Sequence, residues 1–136
     1  MNLTAATALK KARQRPEKAI QRAILDFLAK VPGVHVWKSG GGMFPMTYKG
    51  KARMVRMGKR GVSDLVGRRR EPSSQLGFPY VARFVAIEVK RPGRPLNLEQ
   101  SVFLDEVRLS GGLAIVAHNV EDVATALGLA SPPGGR

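Results

Sequence analysis

Three charged side chains sit in apolar company, where charge is expensive unless something binds it. The segment Ala86-Ile87-Glu88-Val89-Lys90 has the composition of a buried strand but carries a carboxylate and an ammonium two residues apart, and Asp64 stands upstream in Gly61-Val62-Ser63-Asp64-Leu65-Val66-Gly67. Successive side chains of a strand point to opposite faces, so Glu88 and Lys90 share one face while Val85, Ile87 and Val89 share the other. A strand covered on both faces normally reads as a continuous apolar run, and a charge inside it must be paired or bound to a metal. Two carboxylates on neighbouring strands repel when bare, yet together they offer hard oxygen donors suited to Mg²⁺, and a lysine beside them can orient a water or a phosphate. The competing reading makes Lys90 a surface lysine and Glu88 a salt-bridged glutamate at a strand end, the usual fate of charged residues. On these residues alone the two readings stand level, because structural ion pairs also perturb pKa values.

The constellation resembles the active-site core of the PD-(D/E)XK nucleases, and within them the VRR-NUC family. That family's pattern runs glycine, two residues, aspartate, leucine, then glutamate-x-lysine, then a glutamine opening the next helix. Here the elements are Gly61-Val62-Ser63-Asp64-Leu65, Glu88-Val89-Lys90 and Gln100, with 24 residues from Asp64 to Glu88, room for two strands and a loop. Each motif is short, but these three, with the helical acid Glu17 before them, make four in order and in fitting contexts that are together specific. Ser63 departs from the proline of the superfamily's name, at a position that shapes backbone rather than chemistry. The resemblance runs from Glu17 to the helix beginning near Val120. It implies an α/β restriction-endonuclease-like core, a small mixed β-sheet flanked by helices, that hydrolyses DNA phosphodiester bonds. It also implies Asp64, Glu88 and the Val89 carbonyl as ligands of Mg²⁺, for which Mn²⁺ can substitute, Lys90 as the catalytic cation, and Glu17 and Gln100 as outer ligands or water-positioning groups. Freestanding members resemble Holliday-junction-resolving enzymes of DNA repair that act as dimers, so a homodimer acting on branched DNA is expected. The reading from a different class is a noncatalytic basic module that binds DNA or RNA, with Asp64 and Glu88 structural.

Charge points to a polyanionic partner independently of the motif. The 136 residues fit one domain, and 43% apolar content suffices for a core, but the net charge is +13. Residues 1–70 hold 17 Lys and Arg against 3 acids, whereas residues 71–136 hold 6 against 7. Such a footprint raises association rates and affinity for nucleic acid in a salt-dependent way; an anionic membrane surface, or a ribosomal or chaperone-like role, would carry the same charge. With no cysteine there are no disulfides and no Cys-ligated zinc. No apolar run approaches the ~20 residues of a membrane span, and the basic residues near the start follow the apolar ones, unlike a signal peptide. A soluble, cytoplasmic protein, nucleoid-associated if bacterial or viral, with no small-molecule cofactor is expected.

The elements that must position the charges are readable from spacing. A basic arm over 1–15 is expected to precede a nuclease-like domain over 16–129, with a disordered tail over 130–136. Pro16 opens a helix in which Ile20, Ile24, Phe27, Leu28 and Val31 recur at helical spacing, closed by Pro32-Gly33, and Glu17 shares the stripe of Ile20, Ile24 and Leu28; helix-dipole complementarity competes with a site role for Glu17. Val34 to Lys38 reads as a strand followed by Ser39-Gly40-Gly41-Gly42, a Gly-rich loop without the lysine and hydroxyl of a Walker motif. Residues 43–60 carry four of the five methionines together with Lys49, Lys51, Arg53, Lys59 and Arg60, a basic hairpin expected to touch DNA or a second subunit. Arg68, Arg69 and Arg70 open a polar stretch to about Pro79 that reads as a loop, and next to a phosphodiester site they suit phosphate clamps. Val81 to Lys90 is the next strand. Asn97 caps a helix with Phe103, Leu104 and Val107 on its stripe, where Gln100 either completes a capping box or needs a polar partner. Leu113 to Ala117 is a short strand, needing a crossover and hence parallel pairing, and Asn119 caps a last helix through Leu127. His35 and His118, in and after strands, are read as structural.

Overall fold

The computed structural model describes residues 16–130, so the expected arm and nearly all of the expected tail lie outside the described residues. In chain order the elements are α1 (Glu17–Leu28), β1 (Val34–Lys38), β2 (Gly42–Tyr48), β3 (Lys51–Met57), β4 (Leu65–Pro72), β5 (Tyr80–Val89), α2 (Leu98–Leu109), β6 (Leu113–Ala117) and α3 (Val120–Ala126). Four strands form one mixed sheet in the order β1-β4-β5-β6, antiparallel except for the parallel β5–β6 pair that α2 connects. This is the small mixed sheet flanked by helices that the sequence leads one to expect, parallel crossover included.

Strand alternation decides which residues each helix covers. Val85, Ile87 and Val89 of β5 join Leu65, Ile115 and Ala117 under α1 and α3, whose Ile20, Ile24, Leu28, Val123 and Leu127 complete the larger core. On the opposite face Ala86, Ala114 and Val116 pack under Leu104, Val107 and Phe103 of α2. Both faces of the end of β5 are thus covered, which is why Val85 to Val89 are all buried and Glu88 with them.

Two differences from the sequence reading have physical causes. Helix α1 stops at Leu28, and Val31 lies in the turn that leads to Gly33. Arg68, Arg69 and Arg70 are not in a loop but within β4, opposite Phe84, Arg83 and Ala82 of β5. A strand there carries charge cheaply because Arg68 and Arg70 point to a face where, among the described residues, no helix lies over β4, and both are exposed. The β2–β3 hairpin is present as expected, turning at Lys49 and Gly50, both with positive φ, and it forms a separate two-stranded sheet. Among the described residues no helix is long and apolar enough to cross a membrane.

Gly61 places the loop before Asp64. It adopts φ +77°, and an added Cβ would overlap the backbone carbonyl of Glu99 in the first turn of α2. Only glycine lets the chain both take the left-handed conformation and lie against that helix. Gly61→Ala is therefore expected to cost about 2 kcal/mol or more in denaturant unfolding, from a strained φ plus a backbone collision; a loss below ~0.5 kcal/mol would show that the contact is not needed.

Candidate active site

The carboxylates meet at one end of the sheet. Leu65 pairs with Ile87, so extending that register by one residue sets Asp64 opposite Glu88. Asp64 Oδ2 accepts the Val89 N–H at 2.9 Å, which ties the loop to the end of β5. Glu88 is 2% exposed, and its Oε1 accepts from Gln100 Nε2 at 2.8 Å while its buried Oε2 meets no donor group among the described residues. Gln100 fills both of the roles its position offered. Its backbone N–H donates to Asn97 Oδ1, its Oε1 accepts the Asn97 N–H at 3.0 Å, and the remaining amide hydrogens serve Glu88. The capping box thus fixes the side chain that orients the buried acid.

Helix α1 brings a third carboxylate near. Glu17 is half-buried, its Oε1 accepts the Arg91 N–H at 3.4 Å, and its charge reaches Asp64. Lys90 is half-buried, lowers the pKa of both acids, and makes no side-chain hydrogen bond or ion pair among the described residues. Its carbonyl accepts from His118 Nδ1 at 2.9 Å; a carbonyl can only accept, so Nδ1 carries the proton. His118 thereby holds the backbone of Lys90. This structural role was expected in kind, but the partner is a tertiary contact that no spacing discloses. Ser63 is fully buried with its hydroxyl unpartnered, consistent with a position that serves backbone shape.

Crowding two acids in a dry site raises both pKa values. Burial, then the charge of Asp64 and a hydrogen bond with it, push Glu88 up to about 8 against the pull of Lys90. Burial also raises Asp64, opposed first by the Val89 N–H. Near neutral pH Glu88 of the metal-free protein therefore keeps its proton. Below its ordinary 4.5, Glu88 is protonated whether folded or not; between 4.5 and about 8 only the folded chain keeps the proton. The stability of the metal-free protein is thus expected to fall as pH rises through that window and to level off above it, the reverse of a salt-bridged carboxylate. Urea unfolding in EDTA at several pH values checks this; Glu88→Gln should flatten the trend, and an unchanged slope in that variant would remove Glu88 as its source.

The donor set fits a hard divalent cation. An orphaned buried oxygen, a facing carboxylate and a strand-end carbonyl match the oxygen preference of Mg²⁺ and Mn²⁺. Among the described residues no cluster of three or more His, Asp or Glu side chains could hold a metal. Mg²⁺ needs none, since it commonly takes one or two carboxylates plus water and substrate phosphate.

The residues expected to bind DNA are dispersed. Arg68 and Arg70 lie exposed on the α2 side of β4, whereas Arg69 points to the other side and lies 3.9 Å from Glu71. Lys59 and Arg60 pair with Glu106 and Glu99 of α2 at 2.8 and 3.5 Å. Lys49, Lys51 and Arg53 stand exposed on the hairpin.

Comparison with protein families decides the matter of kinship: the model for the VRR-NUC domain matches residues 15–121. The chain belongs to the VRR-NUC family. This VRR-NUC domain is a nuclease of the PD-(D/E)XK type, with DNA as substrate. No curated protein and no solved structure matches the chain significantly.

Proposed function

We propose that the chain is a divalent-metal-dependent DNA endonuclease, working as a homodimer on branched DNA. The observation that carries the metal assignment is Glu88, buried beside a second carboxylate with no donor to its Oε2 among the described residues. In the metal-free protein the two acids meet across a proton that Glu88 keeps, and a cation in the place of that proton would let both ionise. Asp64, Glu88 and the Val89 carbonyl would hold Mg²⁺, which supplies a more acidic water and neutralises charge on the scissile phosphate. Lys90, whose side chain has no partner among the described residues, would bind that phosphate or orient the attacking water. Gln100 and the Val89 N–H fix the two acids from either side, so neither must reorient when substrate arrives. Glu17 positions a water at the outer edge of the same site.

Support for the homodimer comes from the hairpin. Met43, Phe44, Met46, Tyr48, Met54 and Met57 are exposed on a two-stranded sheet of a kind that is marginal alone, and two symmetric sites suit two cuts across a branch. If ~6 phosphates are contacted, affinity should fall roughly 10³-fold between about 50 and 200 mM salt. Neutralising Arg68 and Arg70 should each lower the salt slope by about one, whereas Arg69, turned toward Glu71, should change it little. Cleavage of linear, flapped and four-way DNA with Mg²⁺ or EDTA, together with light scattering, tests the whole reading. A monomer that cuts linear duplex as readily as a four-way junction defeats the branched-DNA part, and cutting in EDTA defeats the metal.

A further inference from the structure

Among the described residues, half of one sheet face has no cover. On the α2 side, α2 lies over β5 and β6, and the neighbouring rows of β1 and β4 face solvent. Register sets out what stands there. Trp37, Val66 and Ala86 are directly opposite one another across β1, β4 and β5, two residues from the Asp64–Glu88 pair; the next row is His35, Arg68 and Phe84. Farther along, the Arg70 guanidinium lies over the Tyr80 ring at 4.6 Å. Trp37, Phe84 and Tyr80 are 48, 46 and 52% exposed, and Trp37 is braced edge-on by His35 at 5.3 Å. Phe84 also lines a cleft of ≈ 710 Å³ between β5 and α2, which Phe103 and Val107 share.

We propose that this uncovered half-sheet is a stacking platform for unpaired bases of a DNA strand running away from the cleavage site. The inference rests on the nuclease reading and specifies which feature of a branch is recognised. Three exposed aromatic rings interleaved with two arginines match what single strands need, π faces for bases and cations for phosphates. The face continues the row that bears Glu88, so Phe84 stands roughly 13 Å along the strand from the acids, within a few nucleotides of the cut. Charge argues against a second copy of this chain as the occupant, because two-fold pairing would bring Arg68 and Arg70 against their own copies. A duplex hides its π faces inside the stack and would touch only the arginines.

Trp37 is the chain's one tryptophan, so its emission reports this face directly. The test titrates the full protein in EDTA with single-stranded oligo(dT) of about 12 nucleotides and with blunt duplex, following both Trp37 fluorescence and the anisotropy of a labelled DNA. Single strands are expected to quench Trp37 as they bind and duplex to leave it nearly unchanged, while Phe84→Ala weakens single-strand binding roughly tenfold. Single strands that bind without altering Trp37, or duplex that quenches it equally, would overturn the platform. Emission that shifts with protein concentration alone would overturn it too, in favour of a contact between copies. Because EDTA blocks cleavage, a failure here is separate from a failure of the metal-dependent reaction, and the wild-type titration stands whatever the stability of the variant.

Discussion

Asp64→Asn and Glu88→Gln are each expected to lower cleavage at least ~10³-fold while the fold and DNA affinity persist. Each change removes one negative charge with almost no change of volume. The loss follows from removing an ion whose Lewis-acid contribution is several kcal/mol, at a factor of ten for each ~1.4 kcal/mol. Persistence of the fold follows from the pKa directions: both acids already resist ionisation in the metal-free protein, so a neutral amide relieves repulsion. Single-turnover nicking assays with saturating enzyme, beside circular dichroism and DNA anisotropy, separate these effects. Either variant cutting at the wild-type rate would defeat the metal-site assignment.

Lys90→Ala is expected to retain metal but lose on the order of 10²–10³-fold in turnover, the scale of removing one preorganised electrostatic donor. Its ammonium shares a sheet face with Glu88 and has no competing ion pair among the described residues, so a surface lysine's role as a solvated charge does not describe it. The His118 bond to the Lys90 carbonyl holds the backbone irrespective of the side chain, so the variant should fold normally. Unchanged single-turnover rates would return Lys90 to the surface.

The candidate site is readable from sequence where chemistry contradicts its surroundings. Charges in the apolar runs around Asp64 and Glu88 announce themselves, and the period of two predicts which side chains share a face. Gln100 was visible as a polar residue on an apolar stripe. What sequence could not give depends on cover supplied from elsewhere in the chain. Three consecutive arginines show no alternation, so β4 reads as a loop until β1 and β5 pair with it on either side. Trp37 and Phe84 look like core residues; Trp37 is exposed because α2 reaches only β5 and β6, and Phe84 because an open cleft separates that part of β5 from α2. Glu17 touching the Arg91 backbone, and His118 touching that of Lys90, join residues 74 and 28 positions apart, and no local pattern encodes such pairs.

The central claim is that Asp64 and Glu88 together hold a divalent cation required for cutting. Anomalous scattering from crystals grown with Mn²⁺, under conditions where the dissolved protein cuts DNA, tests it most directly. A peak is expected between the two carboxylates, within about 2.0–2.6 Å of an oxygen of each. Mn²⁺ found elsewhere, with no density between Asp64 and Glu88 in an active preparation, would contradict it.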